Sequence, residues 1–147
     1  MVRADIPAVL AIEIQANPSP WRSADFEGFT EASVPEGQPG GERRAWVYAD
    51  PEVRGFLCAM AVAGEAELQA IAVERARWSR GAGSALMDAM IRWAREGGLQ
   101  AIHLEVREGN GRAIDFYARH GFAAVGRRPK YYQDNGEAAV LMKLAPP

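Results

Sequence analysis

The sequence predicts an α/β or α+β fold, a layer of helices over a mixed sheet. After a helical N-terminal segment, three short apolar runs of strand composition follow one another, at residues 45–48, 55–62 and 67–73. Helix and strand patterns then alternate to the end of the chain, which is typical of this fold class. Because 147 residues suffice for one well-filled core and are too few for two ordinary domains, we expect residues 1–147 to form a single domain.

The bulk composition narrows the classes of function. The formal net charge is -2 and both signs are mixed along the chain, which argues against the basic surface of a nucleic-acid-binding protein. The single cysteine, Cys58, excludes a disulfide framework and a metal cluster of the usual spacing. No run reaches the roughly 18 to 20 apolar residues of a membrane span, and no signal peptide is evident. We therefore expect a cytoplasmic protein that contacts neither nucleic acid nor membrane.

The first 41 residues predict two helices and a loop. Asp5 precedes a proline and an apolar spacing near 3.6 residues, which predicts a helix capped by Asp5 and ended by residues 17–20. A short second helix is predicted to start near Ser23. Residues 34–41 are rich in glycine and proline and predict a mobile surface loop.

The remaining elements follow in a regular order. The runs at 45–48 and 55–62 predict a hairpin around residues 50–52, with 67–73 as a third strand. Further along, the patterns predict a helix at 83–97, a strand at 101–106, a helix at 112–120, a strand at 122–126 and a last strand at 138–144. The first of these helices is predicted to end in a left-handed glycine at 97–98. A tight turn at 134–136 is predicted to join Tyr131-Tyr132 to the last strand as a terminal hairpin.

A glycine turn stands between the third strand and the long helix. Gly81 and Gly83 have no Cβ, so a pyrophosphate can approach the backbone N–H groups at the start of the helix. By itself this pattern is weak evidence, because a simple tight turn explains it equally well.

Two stretches resemble the motifs of the GNAT N-acetyltransferase superfamily. The acetyl-CoA signature of that family has Gln or Arg, two residues, and Gly-x-Gly or Gly-x-Ala, and residues 80–83 read Arg-Gly-Ala-Gly. Trp78 stands where the Gln or Arg is usual. Residues 110–122 resemble the second motif, Asn-x-x-Ala-x-x-(aromatic or Leu)-Tyr-x-x-x-Gly-Phe. Asn110 and Tyr117 are two helical turns apart and project toward one ligand.

This resemblance implies a mixed, mostly antiparallel sheet flanked by helices on both faces, with acetyl-CoA as the cosubstrate. In relatives the turn backbone holds the pyrophosphate, the Asn contacts the pantetheine arm and the Tyr lies at the thioester sulfur. It also implies that the sheet opens beside the strand that pairs with that arm. The cofactor-binding residues expected on this basis are Ile71, Ala72, Val73, Ser79, Arg80, Gly81, Ala82, Gly83, Ser84, Asn110 and Tyr117.

A closer resemblance is to the RimI type, the ribosomal-protein alanine N-acetyltransferases. It rests on residues 104–107 before Asn110, on residues 19–21 and on the pair Tyr131-Tyr132. The acceptor implied is the N-terminal amine of a protein, a ribosomal protein in that type, and the transfer is direct and needs no metal. Relatives begin with a complete first strand, whereas only residues 1–4 precede the first helix here. We therefore expect that strand to be short or the start codon to be misassigned.

The RimI-type resemblance also assigns roles to individual residues. Glu105 is implied as the general base and Tyr117 as the general acid, while Trp21, Tyr131 and Tyr132 are implied as acceptor-binding residues. Other interpretations stay open. Glu105 could be a solvated strand-end carboxylate, Tyr117 a core aromatic residue, and Trp21 a hydrophobic staple.

Two other functions also stay open at this point. A small-molecule amine N-acetyltransferase would share the fold, because the least diagnostic segments form the acceptor pocket. A CoA-binding module that senses acetyl-CoA without turnover would lack the acid or the base, yet Glu105 and Tyr117 are both present.

Overall fold

The computed structural model describes residues 1–31, 41–78 and 80–147. Residues 34–40 of the predicted loop and Ser79 lie outside the described residues. The main elements are, in chain order, α1 (Ile6–Ala16), α2 (Ser23–Glu27), β1 (Glu42–Ala49), β2 (Val53–Val62), β3 (Glu65–Val73), α3 (Ala82–Glu96), β4 (Ala101–Arg107), α4 (Gly111–Arg119), β5 (Ala123–Arg128) and β6 (Ala139–Leu144). Within this part of the chain, no helix is long and apolar enough to cross a membrane.

The strands form a sheet in the order β1-β2-β3-β4-β6-β5. Every neighbouring pair is antiparallel except β3 and β4. These two parallel strands pair only from Glu65–Ala101 to Glu67–His103, and the register ends there. The predicted mixed, mostly antiparallel sheet is confirmed, and it opens in its middle.

Helices cover both faces of this sheet, as predicted. On one face Val9 of α1 and Phe26 of α2 pack on Phe56 and Cys58 of β2, and all four are fully buried. Burial raises the pKa of the Cys58 thiol to about 12. On the other face lie α3 and α4, whose buried members pack on the strands: Leu86, Met87, Met90, Trp93, Ala94 and Tyr117. Each large apolar side chain so buried contributes about 1.5–3 kcal/mol to folding.

A glycine after α3 and an asparagine before α4 mark these two helix ends, as predicted. Gly98 has φ +66° and follows the last turn of α3. Asn110 caps α4, because its Oδ1 accepts a hydrogen bond from the Ala113 N–H at 3.2 Å. Three residues thus separate the end of β4 from the start of α4, which brings the first turns of α4 to the opening of the sheet.

Three local expectations need correction. Asp5 precedes α1, but its carboxylate accepts the Val2 N–H at 2.7 Å within a 3-10 turn, Arg3–Asp5, and makes no cap for α1. That turn, and no strand, occupies the residues before the first helix. The last strand pairs with β4 on one side and with β5 on the other, so the terminal hairpin is β5–β6, and Tyr131 and Tyr132 lie in its connecting loop, residues 129–138.

Candidate active site

Two cavities meet where β3 and β4 separate. The larger, about 690 Å³, is lined by the end of α1, by β3, by the end of β4 and by residues 131–134. The smaller, about 380 Å³, is lined by the end of β3, the glycine turn, the start of α3 and α4. Residues that line both cavities are Ala16, Ile71, Asn110, Ala113 and Tyr117. We call the larger one the acceptor cavity and the smaller one the cofactor cavity.

The glycine turn offers open backbone to the cofactor cavity. Gly81 has φ +86°, and a Cβ at this position would meet nothing within 4 Å, so the space beside the backbone is free. A Cβ on Gly83 would lie 3.4 Å from the Phe116 ring, so the second glycine lets α3 pack closely on α4. The first free N–H groups of α3 and its positive dipole end lie at the same turn. The turn therefore fits a pyrophosphate.

The structure brings most of the predicted cofactor residues together. Those that line the cofactor cavity are Ile71, Ala72, Val73, Gly81, Gly83, Ser84, Asn110 and Tyr117. Arg80 and Ala82 are not among the residues that line it. Ala82 is 1% exposed and belongs to the buried core instead, and the placement of Ser79 lies outside the described residues.

Tyr117 is both a core residue and a cavity wall. It is 7% exposed, and its ring packs against Phe122 and Phe116 with centroids 6.0 and 5.5 Å away. Burial raises the pKa of its hydroxyl well above the ordinary value. The phenol therefore stays protonated at neutral pH, at the junction of the two cavities.

Glu105 lines the acceptor cavity from the end of β4. Its side chain is 21% exposed, and Oε1 lies 3.2 Å from Nη1 of Arg128, which is itself mostly exposed. The Tyr131 hydroxyl donates a hydrogen bond to the same carboxylate, and this bond raises the pKa of Tyr131. Glu105 is thus a paired carboxylate beside the cleft rather than a freely solvated one.

Arg107, two residues further along β4, fastens the loop that carries both tyrosines. Its Nη2 and Nη1 donate to the two carboxylate oxygens of Asp134 at 2.9 and 3.0 Å. Its guanidinium lies 3.9 Å from the centroid of the Tyr132 ring. Hydrogen bonds from Arg107 lower the pKa of Asp134, and Asp134 in turn raises the pKa of Arg107.

Glu137 completes this attachment. Its carboxylate accepts the Gly109 N–H at 2.7 Å and lies 3.5 Å from Arg107. The Gly109 hydrogen bond is the main reason that the pKa of Glu137 is lowered. Its backbone oxygen accepts the N–H groups of Tyr131 and Tyr132 at 3.1 and 3.0 Å. We call Arg107, Asp134 and Glu137 the loop clamp.

Glu13 holds the opposite wall of the acceptor cavity. It is 2% exposed, and its Oε1 accepts the Trp21 N–H at 3.2 Å and the Asn17 side-chain amide at 3.0 Å. Trp21 packs on Phe26 and also lines the cavity, so it is a packing residue and a wall at once.

Sequence reasoning did not single out Glu13, Arg107 or Arg128. Glu13 lies four residues after buried Val9, on the apolar stripe of α1, and a charge on that stripe was the available signal. No comparable local signal exists for the arginines, because their partners are 23 or more residues away in the chain.

Taken together, the arrangement can perform acid–base chemistry on a bound molecule. A protonated phenol and a carboxylate line one cavity, and an anion-binding turn lines the next. No group of three or more His, Cys, Asp or Glu side chains that could hold a metal ion occurs among residues 1–31, 41–78 and 80–147.

The sequence is similar to a known protein family and to individual proteins of known name. The model of the acetyltransferase (GNAT) family matches residues 6–122. The ribosomal protein bS18-alanine N-acetyltransferase of Salmonella typhimurium is 32% identical over 144 residues, which cover 95% of this chain and 90% of that protein. An uncharacterized protein of Mycobacterium leprae is 42% identical over 79 residues, 54% of this chain, and the match spans 21% of that protein's length.

A solved structure agrees over nearly the whole chain. The crystal structure of the ribosomal-protein-S18-alanine N-acetyltransferase from Escherichia coli superposes with a TM-score of 0.82 at 28% identity. The superposition covers 99% of this chain and 90% of that one. Both halves of the open sheet therefore have counterparts in a structure of known architecture.

Proposed function

The chain belongs to the acetyltransferase (GNAT) family, and on that premise we propose that it transfers acetyl from acetyl-CoA to the N-terminal amine of a protein. Acetyl-CoA supplies the thioester as cosubstrate and is held in the cofactor cavity. The acceptor amine enters through the acceptor cavity. The observation that carries this proposal is that Tyr117 lines both cavities while Glu105 lines the acceptor cavity and not the cofactor cavity.

The choice of an N-terminal amine follows from its acidity. An amine must be neutral to attack a thioester, and an α-amino group of pKa about 7.7 to 8.0 costs about 1 kcal/mol to deprotonate at pH 7. A lysine of pKa about 10.4 costs roughly 4 to 5 kcal/mol. A single carboxylate base suits the first task far better than the second.

Glu105 is the proposed general base. It takes a proton from the acceptor ammonium, directly or through one water. Its partner Arg128 is mostly exposed, so an arriving ammonium can replace the guanidinium beside the carboxylate without uncovering a buried charge. The acceptor thus supplies the positive charge that Arg128 gives up.

Tyr117 is the proposed general acid. Burial keeps the phenol protonated at neutral pH, so a proton is available to the CoA thiolate as it leaves. The amine nitrogen forms the new bond to the acetyl carbon as the bond from that carbon to sulfur breaks. The nitrogen then loses its second proton, which returns the phenolate of Tyr117 to the phenol, while the proton on Glu105 passes to solvent. The products are an N-acetylated acceptor and free CoA.

The acceptor that we propose is a ribosomal protein, met in the cytoplasm. Support comes from the Salmonella relative, which is named for ribosomal protein bS18 and is matched over most of both chains. Trp21, Tyr131 and Tyr132 are the proposed contacts for the first residues of the acceptor, because all three line the acceptor cavity.

Product mass tests this proposal. The protein is incubated with acetyl-CoA and a peptide that begins with Ala and contains one internal Lys, and we expect one acetyl group on the N-terminus. The matched control is the same peptide with its N-terminus already blocked, which should stay unmodified. Acetylation of small amines but not of the free peptide would favour the small-molecule function, and tight acetyl-CoA binding with no product would favour the sensor.

A further inference from the structure

Trp78 occupies the wall of the cofactor cavity beside the glycine turn. Its Nε1–H donates to the backbone oxygen of Val73 at 2.8 Å, which anchors the indole to the end of β3. The residue is nevertheless 39% exposed. A large aromatic side chain that is hydrogen-bonded at its edge and exposed on its face provides a fixed surface on which another group can stack.

The guanidinium of Arg112 stacks on the face of the Trp78 ring. Its carbon is 3.8 Å from the centroid of the Trp78 ring, which is stacking distance, while the guanidinium of Arg75 is farther away at 5.4 Å. Arg112 comes from the first turn of α4, so the contact joins two walls of the cavity. Tryptophan is the best aromatic partner for such a cation.

The charge of Arg112 is available to a ligand. No carboxylate forms an ion pair with Arg112 among the described residues, whereas Arg77, on the same wall, already pairs with Asp50 at 3.0 Å. Arg112 shares the cofactor cavity with Gly81, Gly83 and the start of α3. A positive side chain therefore lies beside a turn that already favours an anion.

We propose that Arg112, held on the face of Trp78, binds a phosphate group of acetyl-CoA, and that Trp78 is a positioning residue for Arg112. The inference rests on the proposed function. The resembled signature has Gln or Arg at the position of Trp78, so here the positive charge comes from α4 and the signature position supports it. Arginine matches phosphate by paired N–H donors, and a stacked guanidinium loses less rotamer freedom on binding.

The first experiment measures acetyl-CoA affinity by calorimetry for the wild type and Arg112→Gln. We expect about tenfold weaker binding, the loss of a charge-assisted hydrogen bond. The matched control is Arg92→Gln, an exposed arginine on α3 that does not line the cofactor cavity, and its affinity should equal that of the wild type. Equal affinity of Arg112→Gln and wild type would overturn the proposal.

Dephosphorylated CoA separates the two phosphate sources. If Arg112 binds the 3′-phosphate, Arg112→Gln weakens acetyl-CoA but not 3′-dephospho-acetyl-CoA. If Arg112 binds the pyrophosphate, both ligands weaken alike. Either result supports a phosphate contact.

A double-mutant cycle tests the positioning role of Trp78. Trp78→Leu should weaken acetyl-CoA binding about threefold to tenfold in the wild-type background. In the Arg112→Gln background it should have hardly any effect, because Trp78 matters only while it holds the Arg112 guanidinium. Trp78→Phe keeps an aromatic face and should recover most of the affinity. An equal loss in both backgrounds would mean that Trp78 only supports the turn, and would refute the positioning role.

Failure of the wider proposal looks different. If wild-type protein does not bind acetyl-CoA at all, the proposed function fails. If the wild type binds it and the cycle is additive, only the inference about Trp78 fails. The acceptor KM should remain unchanged in every variant, since none of the substituted residues lines the acceptor cavity.

Discussion

The two cavities of the site are built in different ways. The cofactor cavity rests on backbone: the edge of β3, a glycine turn with φ +86° at Gly81, and the start of α3. The acceptor cavity rests on side-chain contacts, above all the ion pair of Arg107 with Asp134 and the hydrogen bond that the Glu13 carboxylate accepts from the Trp21 backbone N–H. A site formed by backbone atoms depends on a few glycines and is little affected by substitutions at the surrounding positions. A wall held by charge pairs can change with single substitutions, so we expect acceptor choice to vary more easily than cofactor choice.

Glu105→Gln gives the largest expected effect and isolates the chemistry of the acceptor side. The substitution keeps the shape and removes the proton acceptor, so kcat should fall by roughly 10²–10⁴-fold while acetyl-CoA still binds. The loss should shrink as pH rises, because more of the amine is then already neutral. Steady-state kinetics from pH 6 to 9 measure both effects. Glu67→Gln, on the same face of the sheet, is the control, and near-normal kcat for Glu105→Gln at pH 7 would refute the role.

Tyr117→Phe tests the residue that the two cavities share. Only a hydroxyl is lost, so the melting temperature and the affinity for CoA should stay close to wild type. Turnover should fall at least about tenfold, less than the full range for a general acid because a thiolate is already a fair leaving group. Phe116→Leu is the control for altered packing around Tyr117, because the Phe116 ring packs on Tyr117 and carries no hydroxyl. Unchanged turnover in Tyr117→Phe would leave Tyr117 as a core aromatic residue.

Gly81→Val tests whether the cofactor side depends on backbone. Valine at φ +86° is strained, so some stability is lost, about 1–2 kcal/mol. The acetyl-CoA KM should also rise about tenfold, because the displaced N–H groups no longer meet the pyrophosphate. Gly98→Val is a matched control: φ is +66°, a Cβ there also meets nothing within 4 Å, and the residue lies at the far end of α3. A similar KM in both variants would remove the phosphate-cradle assignment.

Arg107→Gln removes a residue of the loop clamp on the acceptor side, and we expect a smaller effect than for the other variants. Without the loop clamp, Tyr131 and Tyr132 must be ordered when the acceptor binds, so the acceptor KM should rise about threefold. The acetyl-CoA affinity should not change. Arg127→Gln is the control, because it breaks an exposed ion pair with Glu108 and leaves the clamp intact. A shift in acetyl-CoA affinity that equals the shift in acceptor KM would contradict the separation of the two sides.

The same contrast explains what the sequence could predict. The cofactor side is encoded by contiguous motifs, so Gly81, Gly83 and Asn110 could be placed once the glycine turn was combined with the resemblance to a family signature. The loop clamp joins residues 27 and 30 positions apart, and no local pattern reports such a pair. Each paired carboxylate looks like an ordinary surface residue until the fold brings its arginine near.

Tyr131 and Tyr132 show how the fold can override a local preference. The tight-turn signal at residues 134–136 supported the expectation of a terminal hairpin that begins with the two tyrosines. The preceding residue, Lys130, has φ +52°, and both tyrosine N–H groups bond to one carbonyl in their own loop. These contacts turn the chain out of the ladder, and β5 ends at Arg128.

The short pairing between β3 and β4 also matters for how the chain reaches its native state. Strands β1 to β3 come from residues 42–73 and strands β4 to β6 from residues 101–144, so each half of the sheet is built from one continuous stretch of the chain. Only three register pairs join the halves. Each half can pair its own strands before the junction forms, so the contacts between the halves need not form first. The gap in the sheet thus separates two units that can assemble largely independently.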